Sequence, residues 1–355
     1  MPNKERGDIA HRIYHLQGSA RSVGLALGRM IGPRLDHLID YYIRNGPGKH
    51  GLVDLDRLHY GALPWLRSLP ERFQEEMEGL ATGAGLPLQR IAEWSFVEEC
   101  ASAGCSAFMC TIAGHTWVAR NNDMWVPELW GYATIREVDG RIPTINFGLE
   151  GELFTGTGIN RERLWLHYNY LPVRDAPAGD KPAMLPFVLL TTALETCRTL
   201  DDVEALLGEI DRTGGMMLFA ADGKTDACAV FECTCTGHLK REPSGGWIAG
   251  TNHYCADDTH NEPDAFTLQS QCRYARMVEL LDELLMHEAA VNTPWELVHV
   301  LADAGIEQRG EDSGTVYANV VCPASQAIWY TFGGYPAASA GAWQRLEWPR
   351  PAETF

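Results

Sequence analysis

Ala103-Gly104-Cys105-Ser106-Ala107-Phe108, followed after a short turn by Trp117-Val118-Ala119-Arg120-Asn121-Asn122-Asp123, is the stretch on which the reading of the fold turns. Both runs are short and strand-like, the first starting abruptly at a Gly-Cys junction and the second ending in Arg-Asn-x-Asp. Upstream the pattern is helical. Leu25, Met30, Ile31, Leu35, Leu38, Ile39 and Tyr42 recur at helical spacing over residues 19–44, and Phe73, Met77, Leu80, Ala81 and Ala84 do so over 70–85. Pro70 suits the start of that second helix and Gly85 its end.

Downstream the character changes. Strand-like runs occur at Thr116–Arg120, Thr144–Phe147, Leu164–Tyr170, Met216–Ala221, Ala227–Cys233, Trp247–Asn252, Val316–Val321 and Ala327–Phe332. Helical patterns separate them at 184–211 and 272–304, the latter with Met277, Leu280, Leu281, Leu284 and Leu285 on one face. Strands joined by short turns, with helices in separate blocks, predict antiparallel sheets covered by helices. The segment Pro172–Pro186 reads as an exposed loop.

Composition narrows the function. Of 355 residues 45% are apolar, enough for a sizeable core. The formal charge of -18 repels phosphate backbones, so nucleic acid is not an expected partner. The start of the chain has no apolar run of signal-peptide type, and no stretch reaches the 18 or so apolar residues of a membrane span. A cytoplasmic protein with no membrane partner is expected, and its ten cysteines are expected to be reduced. Cys228, Cys233, Cys235 and His238 lack the paired spacing of a zinc site, and the alternation over 227–233 makes these thiols core residues.

The Gly-Cys junction, the Arg-Asn-x-Asp ending and three later landmarks carry a resemblance. The helix containing Met77-Glu78-Gly79-Leu80-Ala81-Thr82-Gly83-Ala84-Gly85-Leu86 precedes the junction. Gly158-Ile159-Asn160-Arg161-Glu162-Arg163-Leu164 leads into a strand ending at Asn169, and Gly250-Thr251-Asn252 and Cys272-Arg273-Tyr274-Ala275-Arg276 follow. This ordered set resembles the N-terminal-nucleophile hydrolases of the penicillin acyltransferase (isopenicillin N acyltransferase, peptidase C45-like) group, relatives of choloylglycine hydrolases and acid-ceramidase-type amidases. The fold implied is α+β, a four-layer αββα sandwich of two antiparallel sheets flanked by helices. Residues 1–104 and 105–355 become two chains of one structural domain.

The resemblance implies self-cleavage at Gly104-Cys105, which gives chains of about 11 and 28 kDa by proportion of length. The chemistry fits the residue types. A thiol attacks well only as thiolate, and an N-terminal cysteine carries its own base, an α-amine of pKa about 7.7–8.0. Glycine before it accepts strained geometry at low steric cost. By the same resemblance Cys105 is nucleophile and base, and Asp123 orients the amine or thiol. Arg120 neutralises Asp123 and positions the thiolate, Asn252 donates to the oxyanion, and Arg273, opening a helix, completes the charged site. Asn169 either supplies a second donor or caps a strand. Met124, Trp125, Trp130 and His253 either line the substrate site or pack as ordinary core and surface. Asn122 and Ser106 depart from the group, which often has an aromatic residue and Thr at those places.

The substrate implied is a small-molecule carboxamide, an N-acyl amine or N-acyl amino acid. No metal or organic cofactor is called for, and association into oligomers stays open. Transfer of the acyl group to an amine is the alternative to hydrolysis. A papain-type enzyme using His167, His253 or His299 lacks the flanking signature, and a non-catalytic binding protein would not be expected to keep the whole polar set.

Overall fold

The computed structural model describes residues 9–97, 104–287 and 291–348. Ala103 and the part of the expected 272–304 helix at 288–290 lie outside them. Helices and strands are numbered separately in chain order. The first segment contains α1 (Ala20–Ile31), α2 (Arg34–Asn45), α3 (Leu55–Ser68), α4 (Glu71–Ala84) and α5 (Leu88–Phe96). The helical pattern over 19–44 is two helices, not one. Gly32 adopts φ 63°, and Pro33 behind it has no N–H to continue the ladder. The expected helix over 70–85 is α4, stopped by Gly85 at φ 70°.

The α1 and α4 backbones touch. A Cβ placed on Gly24 would lie 1.9 Å from the Glu76 carbonyl oxygen, and one on Gly83 would lie 2.3 Å from that of Leu25. Side chains at these positions would force the helices apart, and with them the residues α4 delivers to the interior. Buried Glu76 accepts from Arg136 at 2.6 Å and from Arg72 at 2.8 Å, and Arg72 also bonds Glu195. This buried ion cluster joins the first segment to the strand and helix that carry Arg136 and Glu195.

Two sheets follow. The larger has the spatial order β1 (Ile13–Gly18), β4 (Trp130–Val138), β5 (Thr144–Leu149), β6 (Thr157–Asn160), β7 (Leu164–Leu171), β10 (Gly215–Asp222), β11 (Ala227–Cys233) and β12 (His238–Arg241). The smaller runs β13 (Trp247–Gly250), β2 (Cys105–Ile112), β3 (His115–Trp125), β14 (Ser313–Cys322), β15 (Ala327–Thr331) and β16 (Trp343–Leu346). A two-stranded ribbon pairs β8 (Ala183–Met184) with β9 (Asp211–Arg212). Within the two large sheets pairing is antiparallel except for β1 against β4.

Period-two alternation gives each sheet two apolar faces. On β10, Met217, Phe219 and Ala221 enter the core between the sheets, while Met216, Leu218 and Ala220 pack under α6 (Pro186–Thr196) and α7 (Leu200–Glu209). On β2, Ala107 and Met109 face the shared core, while Phe108, Cys110 and Ile112 face α8 (Ala265–Met286) and α9 (Trp295–Leu301). The result is the four-layer αββα sandwich, with α1–α5 closing onto the shared core. Cys228 sits in that core and Cys233 in the layer under α6 and α7, so both pack as small hydrophobes. Among the described residues no helix is long and apolar enough to cross a membrane.

Candidate active site

Cys105 is the first residue of β2 and lies directly opposite Asn122 on β3. Its side chain points between the sheets, into a cavity of about 310 Å³. Alternation along β3 divides the expected polar set between two faces. Arg120, Asn122 and Met124 share the cavity face with Cys105. Asp123 lies on the opposite face, towards α8.

On the cavity face, Arg120 Nη2 donates to Cys105 Sγ at 3.5 Å, to Asn122 Oδ1 at 2.8 Å and to the Tyr168 carbonyl at 2.8 Å. Its Nη1 donates to Tyr317 Oη at 2.9 Å and also bonds Thr157 Oγ1. Arg120 is 2% exposed, yet among the described residues it has no carboxylate partner. The expected Arg120–Asp123 pair is therefore replaced, because residues three apart on a strand point to opposite faces. A buried guanidinium without a carboxylate is costly. The anion that can form within its reach is the Cys105 thiolate. In the intact chain the thiol is neutral: burial pushes its pKa up, against the opposing pull of Arg120. Its S–H donates to Asn122 Oδ1 at 3.6 Å.

On the other face, Arg273 is the hub. Its Nη1 donates to the Cys105 carbonyl at 2.7 Å and to Ser106 Oγ at 2.8 Å, and its Nη2 donates to Asn252 Oδ1 at 2.8 Å. Asp123 Oδ2 lies 3.8 Å from Arg273 Nη1, and Oδ1 accepts from Thr315 Oγ1 at 2.6 Å. A bulge between Thr315 and Tyr317 lets one residue of β14 face Asp123 and the other face the cavity. Burial raises the Asp123 pKa to about 6, against the pull of Arg273 and Thr315. Arg273 does not open its helix as expected. α8 starts two turns earlier, where Asp264 caps it by accepting from the Thr267 N–H.

The junction itself is held by two groups. Cys105 N donates to Asn252 Oδ1 at 2.8 Å, and the Gly104 carbonyl accepts from the Asp123 N–H at 3.0 Å. Gly104 packs tightly, since a Cβ there would meet Asp123 Oδ2 at 3.1 Å and Arg273 Nη2 at 3.4 Å. Asp123 Oδ2 has no hydrogen-bond partner among the described residues.

Of the two expected oxyanion donors, Asn169 has both amide hydrogens engaged and Asn252 one of two. Asn252 Nδ2 donates to the Tyr170 carbonyl at 3.0 Å, and Asn169 Nδ2 donates to the carbonyls of Gly250 at 3.2 Å and Thr251 at 3.0 Å. Two donors face Asn252 Oδ1 and a carbonyl faces its Nδ2, so the amide orientation is set by its partners. Met124 and Trp130 line the cavity as expected. Trp125 does not: it stacks near His50 at 4.6 Å between centroids. His253 also lies off the cavity, 2.8 Å from Ser270 Oγ, which in turn accepts from Asn252 N at 2.7 Å. Burial, Arg273 and Arg241 lower its pKa to about 4, so it is neutral at pH 7.

The sequence reading missed several lining groups. Phe147, Tyr168, Tyr170, Phe187 and Tyr317 make the cavity wall aromatic. Leu185 and Pro186 also line it, so the end of the supposed loop 172–186 is part of the site. Arg57 of α3 reaches it from the first segment. Alternation along β3 was a signal for Asn122, but nothing local to Tyr317 or Phe187 marks them.

Solved structures that this fold resembles include a mutant of conjugated bile acid hydrolase from Clostridium perfringens, at 13% identity over 70% of this chain and 97% of that one, TM-score 0.46. An N-acylethanolamine-hydrolyzing acid amidase ortholog from Caenorhabditis elegans is 14% identical over 62% and 93%, TM-score 0.47. Penicillin V acylase from Agrobacterium tumefaciens is 12% identical over 64% and 83%, TM-score 0.42. No curated protein sequence matches the chain at a significant level. The family described as acyl-coenzyme A:6-aminopenicillanic acid acyl-transferase matches residues 111–335. That span takes in Arg120, Asp123, Asn169, Asn252 and Arg273 and begins just after Cys105. The chain belongs to this acyl-transferase family.

Proposed function

We propose that the protein cleaves itself between Gly104 and Cys105 and then hydrolyses an N-acyl amine or N-acyl amino acid through an acyl-Cys105 intermediate. The observation that carries this reading is the junction. A thiol beside Arg120, which is buried and has no carboxylate partner among the described residues, sits at a peptide bond whose N–H and C=O are both held by site residues.

Self-cleavage begins when Cys105 Sγ attacks the Gly104 carbonyl carbon. The Asp123 N–H stands at the oxygen where negative charge develops. The C–N bond breaks, the thiol proton passes to the departing nitrogen, and a thioester forms. Water hydrolyses it to the Gly104 carboxylate and a free thiol. The new α-amine keeps Asn252 Oδ1 as one acceptor and gains Asp123 Oδ2 as a second. In turnover this amine takes the thiol proton and returns it to the leaving amine. Arg120 balances the thiolate. The aromatic wall of the cavity takes the apolar part of the substrate.

Acyl transfer is the second reading, favoured by the family's description as an acyltransferase. The two differ only in whether water or an amine attacks the acyl-enzyme. The test incubates the protein with a panel of N-acyl amines and N-acyl amino acids and follows acyl adducts on the 105–355 chain by mass. A transient adduct that disappears with release of free acid supports hydrolysis. Product acylated on an added amine at low amine concentration supports transfer. Turnover surviving in Cys105→Ala would contradict both.

A further inference from the structure

The reaction needs a donor at the substrate oxyanion, and neither of the asparagines expected to serve is among the residues that line the cavity. Asn169 gives both amide hydrogens to the carbonyls of Gly250 and Thr251, and Asn252 gives one of its two to that of Tyr170. Turning Asn169 towards substrate would leave a buried carbonyl with one partner fewer.

Asn122 is differently placed. It faces Cys105 across the β2–β3 pair and lines the cavity. Its Oδ1 accepts from both Arg120 Nη2 at 2.8 Å and the Cys105 thiol at 3.6 Å. Two donors on one atom fix that atom as oxygen, which leaves Nδ2 as the donor end of the amide. The whole group is 6% exposed, so a hydrogen bond from it to a charged oxygen would form in a low-dielectric setting.

Building on the self-processing reading, we propose that Asn122 is a catalytic residue whose Nδ2 donates to the oxyanion of the tetrahedral intermediate formed on Cys105. Arg120 holds its Oδ1 and so aims the donor. When the thiol ionises, its hydrogen bond to Oδ1 is lost and the Arg120 contact alone keeps the amide in place. The intermediate forms by addition of Cys105 Sγ to the substrate carbonyl carbon, and the carbonyl π electrons move to the oxygen that Asn122 meets. On collapse the electrons return to re-form the C=O bond, the carbonyl carbon–nitrogen bond breaks, and the leaving nitrogen takes the proton from the Cys105 amine, leaving the acyl group on Sγ.

The test uses the purified protein, Asn122→Ala and Asn122→Asp, with p-nitrophenyl phenylacetate as an acylating probe. The Ala variant removes the donor without adding charge; the Asp variant keeps an acceptor for Arg120 but puts a carboxylate beside the thiol in place of the amide. Acylation of Cys105 is read by p-nitrophenol release and by the mass of the 105–355 chain. The maximal acylation rate is expected to fall about a hundred- to a thousandfold in both variants, with half-saturation changing less than about fivefold. Self-cleavage slows by a smaller factor, because the Gly104 oxygen is served by the Asp123 N–H. Rates in either variant within about threefold of the parent, or a loss confined to half-saturation, would overturn the proposal. A parent that neither cleaves nor acylates would instead overturn the processing reading on which it rests.

Discussion

Asp123 shows what this site costs the protein. Its carboxyl is buried against Arg273 and Thr315, and burial raises its pKa from 3.8 to about 6. A raised folded-state pKa means that the native state binds the proton more tightly than the unfolded chain. This residue's contribution to stability is therefore full below pH 4 and is lost as pH rises through 6. The loss amounts to roughly 3 kcal/mol. Unfolding free energies of the uncut Cys105→Ala chain with and without Asp123→Asn, measured by denaturant between pH 4 and 8, are expected to diverge in that sense across pH 4–6. A difference that stays flat across the window would contradict the assignment. The sequence held the residue types of the site, Cys105, Arg120, Asp123, Asn252 and Arg273, and the structure gathers all five. Their pairing was not legible. That depends on which face of β3 each residue takes and on where α8 begins, so Arg273 lies beside Asp123 where Arg120 was expected. Asn122 was read as a departure, and the strand places it against the nucleophile.

Elements with strong local periodicity were legible, and those whose identity depends on partners were not. The α4 boundaries followed from Pro70, the apolar stripe and Gly85, and β11 matches its predicted bounds, Ala227–Cys233. By contrast β1 and β4 form the one parallel pair of the large sheets, and neither strand's sequence signals a partner more than a hundred residues away. The run over 19–44 broke in two at Gly32-Pro33, a breaker that the apolar spacing spans without interruption. The α1–α4 contact was not foreseen either, although the glycines that permit it were in view. It gives a direct test. Gly24→Ala places a methyl 1.9 Å from the Glu76 carbonyl oxygen, a backbone atom that cannot swing aside. The helices must separate, and a loss of about 1–3 kcal/mol in urea unfolding is expected. A neutral or stabilising outcome would show that α1 and α4 do not meet as described.

At the scale of the whole molecule, the first segment is built into the catalytic part at three levels. Its helices share the core between the sheets, Arg72 and Glu76 join the buried ion cluster with Arg136 and Glu195, and Arg57 reaches the cavity. Cutting the chain at Gly104-Cys105 removes one peptide bond and none of these contacts, so the two products are expected to travel as one particle under native conditions. The four-layer architecture was legible because alternating strands and blocks of helices leave few other ways to bury their faces. The cavity was not, because its wall draws on β3, β5, β7, β14, the α6 entrance and α3 together. The most direct test of the account is the denaturing mass of freshly purified protein, with the sequence of its fragment ends. The account predicts two chains of about 11 and 28 kDa in proportion to length, the larger beginning at Cys105, and a single uncut chain for Cys105→Ala. A parent that stays at 39.4 kDa after prolonged incubation, or a cut elsewhere that survives in Cys105→Ala, would contradict it.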